Sequence, residues 1–242
     1  MKLVFSKTNL AKAVGIVMKA VPAKTTMNIL ECILIDATTN EIKFTANDME
    51  LGIETIIEGE ILEKGIIALD AKIFLEIVRK LPDNDITITT DSNFKTAITC
   101  EKAKFNIIGK SGEDFSYLPM IERNESIIIS QYTLKEVIRQ TIFSISDNDN
   151  NKLMSGELFE INGEEMRVIS LDGHRISIRK IHLKNSYPAK KVVVPGKTLN
   201  EISKILSGDA DKDVTIFFTD KHIVFEFENT TVVSRLIEGE YF

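Results

Sequence analysis

Apolar side chains recur at helical spacing in four segments of the chain, which predicts four amphipathic helices. The first segment places Leu10 and Val14 on one face, with Ser6 as a candidate N-cap and Pro22 as the stop. The other three apolar stripes run through residues 74–81, 134–145 and 199–206.

Short runs that alternate in polarity or are rich in β-branched residues lie between and after these helices. They include residues 42–45, 86–89, 214–217 and 223–227. The turns between them use aspartate, asparagine and glycine, as at Asn162 and Gly163. Strands this closely spaced favour antiparallel sheets over a parallel sheet with helical crossovers. The predicted fold class is therefore α+β, with helices packed on antiparallel sheets.

The chain repeats this pattern once, at a spacing of about 124 residues that drifts to 127 towards the end. The matched pairs are Ser6 with Ser130, Leu10 with Leu134, Leu34 with Leu158, Asp48 with Asp172, Lys72 with Lys197, and residues 112–115 with residues 239–242. A repeat of this length predicts two similar domains with two helices each, over residues 1–120 and 121–242. Residues 119–126 are the expected linker.

The bulk composition excludes several classes of protein. The chain of 242 residues has no run of 18 apolar residues, so no transmembrane span is expected. Its N-terminus reaches a polar, lysine-bearing segment too early for a secretory signal. Cys32 and Cys100 lack the spacing of a zinc or redox motif. These features favour a cytoplasmic protein with buried thiols.

Charge is distributed unevenly between the predicted helices and the rest of the chain. The four helical segments, residues 7–24, 72–80, 132–144 and 196–206, together carry a net charge of +8, although the whole chain carries −6. The strands and loops therefore carry −14. A positive surface lined by helices would attract phosphate backbones. The alternative is that these lysines simply solvate ordinary helix faces.

Catalytic motifs are sparse. The three histidines show no metal-binding spacing, and the chain has no nucleophile elbow and no glycine-rich dinucleotide motif. The most reactive-looking stretch is residues 172–175, where Asp172 could orient His174 in an enzyme. A turn with a structural histidine is the simpler interpretation, and the chain reads as a binding or scaffolding protein. No cofactor or metal is expected.

Four segments carry a family resemblance that runs in order over the whole chain. They are Lys-Thr-Thr-Met at 24–27, Asp-Gly-His-Arg at 172–175, Val-Val-Pro-Gly-Lys at 193–197 and Leu-Ile-Glu-Gly-Glu-Tyr-Phe at 236–242. Together they resemble the bacterial DNA sliding clamp, the β subunit of DNA polymerase III. The resemblance implies tandem copies of the DNA-clamp (processivity-fold) domain.

The same resemblance implies a function without catalysis. In the family, three like domains make a protomer, and two protomers close head to tail into a ring around duplex DNA. Polymerase III, the clamp loader and other proteins dock through short linear motifs, and no membrane is involved. The implied DNA-facing residues are Lys24, Lys72, Arg79, Asn148 and Lys197.

The resemblance also implies part of a peptide-docking pocket. Its residues in this chain would be Met154, Leu171, Gly173, His174, Arg175 and Ile176. In this role Gly173 would let a peptide backbone approach closely, and the apolar side chains would receive leucine and aromatic anchors.

Length is the main departure from the family pattern: the given sequence reaches Phe242 without the third domain that the family has. The chain is therefore expected to be the first two domains of a clamp. The alternative is a self-sufficient two-domain clamp that closes as a trimer, since three pairs of domains also make six.

Overall fold

A computed structural model of the chain describes residues 1–147 and 151–242. The chain divides into two compact units, Met1–Leu118 and Pro119–Phe242. Each unit contains two α-helices and a set of antiparallel strands, so the α+β prediction is confirmed.

Strands make up most of unit 1. They are β1 (Lys2–Ser6), β2 (Cys32–Ala37), β3 (Ile42–Asn47), β4 (Leu51–Ile57), β5 (Glu60–Glu63), β6 (Gly65–Asp70), β7 (Asp85–Thr90), β8 (Lys95–Cys100) and β9 (Ala103–Ile108). One sheet has the order β5-β1-β7-β8-β9, and the other strands follow the order β4-β3-β2-β6. The alternation in β7 is typical: Ile86 and Ile88 are buried while Thr89 is exposed.

Two of the strands of unit 2, β11 and β12, are much longer than the rest. They are β10 (Ser126–Ser130), β11 (Gly156–Leu171), β12 (Ile176–Pro195), β13 (Asp213–Phe218), β14 (His222–Phe227) and β15 (Thr230–Arg235). Four of them follow the order β10-β13-β14-β15, and β11 pairs with β12 along a long antiparallel ladder. The ladder is irregular around Gly163, which has a φ of +62° at the predicted turn.

The four predicted helices are present. They are α1 (Lys7–Val17) and α2 (Ala71–Lys80) in unit 1, and α3 (Gln131–Thr141) and α4 (Gly196–Ser203) in unit 2. The side chains of Ser6, Asp70 and Ser130 accept hydrogen bonds from amides of the first turns of α1, α2 and α3.

Three helices end earlier than the sequence predicted. After α1 the chain tightens into a 3-10 turn, Met18–Ala20, and Lys24 lies beyond it in a loop. A 3-10 turn, Ile142–Ser144, likewise follows α3, and α4 ends at Ser203 rather than at residue 206. The apolar spacing continued past each end because a tight turn buries side chains at similar intervals.

The repeat is also visible in matching tertiary contacts. Ala68 in unit 1 forms an isolated antiparallel bridge with Lys110. Val193 in unit 2 forms the same kind of bridge with Ile237. These pairs are related by the shifts that align the two halves of the sequence, so the two copies close their structures with the same contact.

Three phenylalanines join the two groups of strands and one helix of unit 1. The ring centroid of Phe44 in β3 lies 5.9 Å from that of Phe5 in β1 and 6.3 Å from that of Phe74 in α2. All three are buried. Aromatic clusters of this kind combine a large buried area with favourable ring geometry.

Phe44→Ala is therefore expected to lower the free energy of unfolding of unit 1 by about 3–5 kcal/mol, because it opens a cavity at this junction. Denaturant unfolding followed by circular dichroism measures the change. Phe105→Ala, at a half-exposed phenylalanine of β9, is the matched control and should cost about 1 kcal/mol or less. Equal losses in both variants would contradict this account of the core.

Candidate DNA-facing and peptide-docking surfaces

The exposed face of α2 carries the clearest cationic surface of unit 1. Lys72 and Arg79 are seven residues apart, so they project from the same side of the helix, and both are exposed. The opposite side buries Phe74 and Val78. Glu76 lies between the two cations, with a carboxylate oxygen 3.7 Å from the Arg79 guanidinium. This exposed ion pair lowers the local positive potential without removing it.

Two lysines of the helical segments serve inside the fold instead. The ammonium of Lys7 donates to the carbonyl oxygens of Arg79 and Leu81, at the C-terminal end of α2. Lys135 of α3 donates to the carbonyl of Leu206, 3.3 Å away, just past α4. A cation at a helix C-terminus offsets the helix dipole and satisfies free carbonyls. Counting charge along the sequence therefore overstates the charge that faces solvent.

The other proposed DNA-facing residues are dispersed. Lys24 is exposed in the loop after α1, and Lys197 is exposed in the first turn of α4. Asn148 lies outside the described residues. Within each unit the helices pack together, α1 against α2 and α3 against α4.

Five of the six proposed docking residues belong to one short segment, residues 171–176, which we call the docking turn. Leu171 ends β11 and pairs with Ile176, the first residue of β12. Gly173, His174 and Arg175 form the connection and are exposed. Met154 lies in a separate 3-10 turn, Leu153–Ser155, whose Leu153 packs against a cluster of Leu158, Ile169 and Val193.

Asp172 organises the docking turn. Its carboxylate accepts hydrogen bonds from the backbone amides of His174 (3.0 Å) and Arg175 (3.1 Å), and from the Arg175 guanidinium (3.0 Å). The amide of His174, then that of Arg175 and its charge, hold the pKa of the Asp172 carboxyl below its usual value. An aspartate that caps its own turn in this way is a local backbone device.

This geometry argues against the enzyme hypothesis. Asp172 accepts a hydrogen bond from the backbone amide of His174 rather than from its imidazole, so this contact does not orient a catalytic histidine. Gly173 has a φ of +89°, and a Cβ built there would meet no atom of this chain within 4 Å, so the backbone conformation itself favours glycine. The close approach of a peptide backbone at Gly173 stays a prediction.

The structure adds an apolar neighbour to the docking turn. Ile176 and Ile178 alternate along β12 on one face and are 56% and 53% exposed. Two exposed isoleucines side by side on a strand make a small apolar surface beside the turn. The alternation Ile-Ser-Ile at 176–178 was the sequence signal that could have identified Ile178.

A second apolar surface, in unit 1, was not predicted. Strand β9 ends the sheet order among the described residues, and Ile108 at its end is 77% exposed. A cavity of about 290 Å³ lies between α2 and β9, lined by Ile73, Ile77 and Phe105 with charged residues of α2 around them. Ile73 interrupts the otherwise polar face of α2, which is the feature that could have revealed this surface.

Neither a membrane-spanning helix nor a metal-binding cluster is found in the part of the chain that the structure describes. No helix there is long and apolar enough to cross a membrane. No group of three or more His, Cys, Asp or Glu side chains there is arranged to hold a metal ion.

Comparisons with known proteins agree along the whole chain. A family model described as the N-terminal domain of the DNA polymerase III beta subunit matches residues 1–119, and the model of its central domain matches residues 128–242. The beta sliding clamp of Staphylococcus epidermidis is 35% identical over 232 residues, which are 93% of this chain and 61% of that protein. The chain thus spans 61% of the length of this relative.

Solved structures show the same fold. A protein from Eubacterium rectale assigned as a DNA polymerase III beta subunit is 77% identical, with a TM-score of 0.98 over 100% of this chain and 66% of that one. The sliding clamp of Bacillus subtilis is 33% identical, with a TM-score of 0.95 over the same shares.

Asp172→Ala is expected to loosen the docking turn, because the amides of His174 and Arg175 lose their common acceptor. Their exchange with solvent deuterium should become roughly tenfold faster. The same loosening should occur in the unchanged protein at acid pH. Since the pKa of Asp172 is lowered, the stabilisation is present above the ordinary aspartate pKa and is lost as the pH falls through the lowered value.

Amide exchange measured by NMR tests this, with Glu238→Ala as a control at an exposed carboxylate outside the turn. Unchanged protection in Asp172→Ala would show that the turn does not depend on this carboxylate.

Proposed function

We propose, since the chain belongs to the DNA polymerase III beta subunit family, that it forms the N-terminal and central domains of a DNA sliding clamp. Such a clamp is a cytoplasmic processivity factor that surrounds duplex DNA and tethers the replicative polymerase without catalysing a reaction. The observation that carries the proposal is the ordered match of the two domain families along the chain. We assign residues 1–120 and 121–242 to these domains and infer a third clamp domain in the complete protomer.

Duplex DNA is the first proposed partner, and the helices supply the contacts. Lys72 and Arg79 on α2, with Lys24 and Lys197, would contact phosphate oxygens, and Asn148 is proposed from the resemblance alone. Such contacts neutralise the backbone and read no sequence. Because the cations are few and Arg79 is partly neutralised by Glu76, we expect weak, salt-sensitive binding.

Proteins with clamp-binding linear motifs are the second proposed class of partner, including the polymerase III catalytic subunit and the clamp loader. The docking turn and Met154 would form one part of the pocket. The exposed Ile176 offers apolar area to a leucine or aromatic anchor, and the Asp172 contacts hold the turn in one shape before a peptide arrives. The third domain would supply the other part.

Ring closure is the third element of the proposal, as a head-to-tail homodimer of the three-domain protomer. Strand β9 has a partner on one side only among the described residues. This edge and the apolar side chains of Phe105, Ile108 and Ile73 support the assignment in unit 1. An exposed edge strand with apolar neighbours favours pairing with another chain. In the alternative, a trimer of two-domain chains, light scattering of this chain at micromolar concentration would give three times the monomer mass.

The Lys72→Ala, Arg79→Ala double variant is expected to weaken binding to duplex DNA of any sequence. Losing two phosphate contacts should make the negative slope of log K against log salt concentration shallower by about 2. Fluorescence anisotropy of a labelled duplex, measured at salt concentrations from about 50 to 200 mM, gives the slope. Lys95→Ala removes an exposed lysine of β8 and is the control. An equal change in the control would contradict a DNA-facing role for α2.

The chain joined to a third clamp domain is expected to stay on closed circular DNA and to slide off after the circle is cut. A ring is held by topology, whereas an electrostatic contact is lost equally from both forms of DNA. Gel filtration of clamp loaded on circular DNA, before and after linearisation, measures the retention. Equal release from both forms would contradict the proposal of a closed ring.

A further inference from the structure

We infer that Glu157 is a positioning residue for the docking turn, acting as a neutral carboxylic acid that donates a hydrogen bond to Thr141. Through Thr141 it would hold the end of β11, from which the turn projects. The consequence for peptide binding rests on the proposed docking function; the structural role of Glu157 does not.

The side chain of Glu157 is fully buried near the start of β11. Its Oε2 atom lies 3.0 Å from the hydroxyl oxygen of Thr141, the last residue of α3. Its Oε1 atom has no hydrogen-bond partner among the described residues. A carboxylate with one free oxygen in such a place is costly, and a carboxylic acid is much less so.

Counting protons at Thr141 points the same way. A threonine hydroxyl has one proton, and this one faces two acceptors: the Val137 carbonyl at 2.8 Å and Glu157. If Glu157 is protonated, the hydroxyl donates to Val137 and accepts from the acid, so both contacts are satisfied. Burial raises the pKa of Glu157 to about 8, against the opposing effect of the Thr141 hydrogen bond, which leaves the acid neutral at pH 7.

Thr141 connects this acid to the docking turn. Its carbonyl oxygen accepts a hydrogen bond of 2.6 Å from the hydroxyl of Ser170, which is fully buried and directly precedes Leu171. The end of α3 is thus held from both ends of β11, by Glu157 and by Ser170. A buried polar network of this kind fixes geometry only while each member is satisfied.

Among the residues that the structure describes, the other groups around Glu157 do not compete for its proton in this range. From the C-terminal segment, Tyr241 donates to the carbonyl of Gly156 at 2.9 Å, and burial raises the pKa of this phenol to about 12. Val194 is opposite in β12 and is apolar, and α3 presents the hydroxyl of Thr141.

The sign of the pH dependence follows from the raised pKa. The unfolded chain releases this proton near the ordinary glutamate value, while the folded chain keeps it until about pH 8. The contribution of Glu157 to stability is therefore complete at acid pH and is lost as the pH rises through this interval. Above it, the folded protein holds a buried charge that draws the start of β11 and Thr141 towards water.

The methyl NMR signals of Leu171 and Ile176 in the 242-residue chain test the inference, with His174→Gln introduced throughout to remove the imidazole from the docking turn. We expect a one-proton step with a midpoint of about 8 at both residues, and no such step when Glu157→Gln is added. The carboxyl carbon signal of Glu157 should show the same midpoint without any substitution at that site. Absence of the step, or its persistence in Glu157→Gln, overturns the inference.

A peptide with leucine and aromatic anchors extends the test to docking. It is titrated by calorimetry into the chain joined to a third clamp domain, at pH values of about 6.5 and 9, which lie on either side of this step. We expect binding to the unsubstituted chain to be roughly three- to tenfold weaker at the higher pH, and binding to Glu157→Gln to be unchanged. Ile176→Asp, which places a charge on the docking surface, should bind poorly at both.

The two failures are distinguishable. If the methyl step is present but no peptide binds at either pH, the docking function fails and the structural role of Glu157 stands. If peptide binds equally at both pH values in the unsubstituted chain, Glu157 does not position the turn for docking.

Discussion

Burial of one apolar stripe per helix against antiparallel strands is the constraint on which the rest of each unit depends. In α2 the stripe of Phe74, Ile77 and Val78 is buried, which leaves Lys72 and Arg79 facing outward. Phe44 ties the same helix to β3 and, through Phe5, to β1. The surface proposed to contact DNA is thus the polar face that remains exposed when the apolar face of α2 is buried. The packed core behind it holds this surface rigid.

The same packing decides which charges remain available. Lys7 and Lys135 are drawn to the carbonyls that end α2 and α4, because a helix terminus leaves those oxygens without partners. Their positions on the two repeats differ, yet each lies on the first helix of its unit and serves the second. Lys72 and Arg79, in contrast, face outward from α2.

The docking turn shows how a reactive-looking motif can be a structural one. The Asp172 carboxylate accepts hydrogen bonds from two backbone amides and one guanidinium, which fixes the turn. The side chain of His174 stays exposed. Thr141 links Ser170, near the end of β11, to Glu157, near its start. A partly buried carboxylate thus shapes the turn at the surface, and a buried carboxylic acid steadies the strand that leads into it.

The sequence by itself determined the α+β class, the four helices, the internal repeat and the family, because periodicity, capping residues and ordered motifs are written locally along the chain. It also marked Leu171 to Ile176 as a candidate surface. The sequence did not predict that α1 ends at Val17 or that an apolar surface lies between α2 and β9. It also did not predict that Glu157 is buried beside Thr141. Those features depend on which distant residues meet, and only the tertiary structure decides where a helix tightens, which strand is left at an edge and which charge is removed from water.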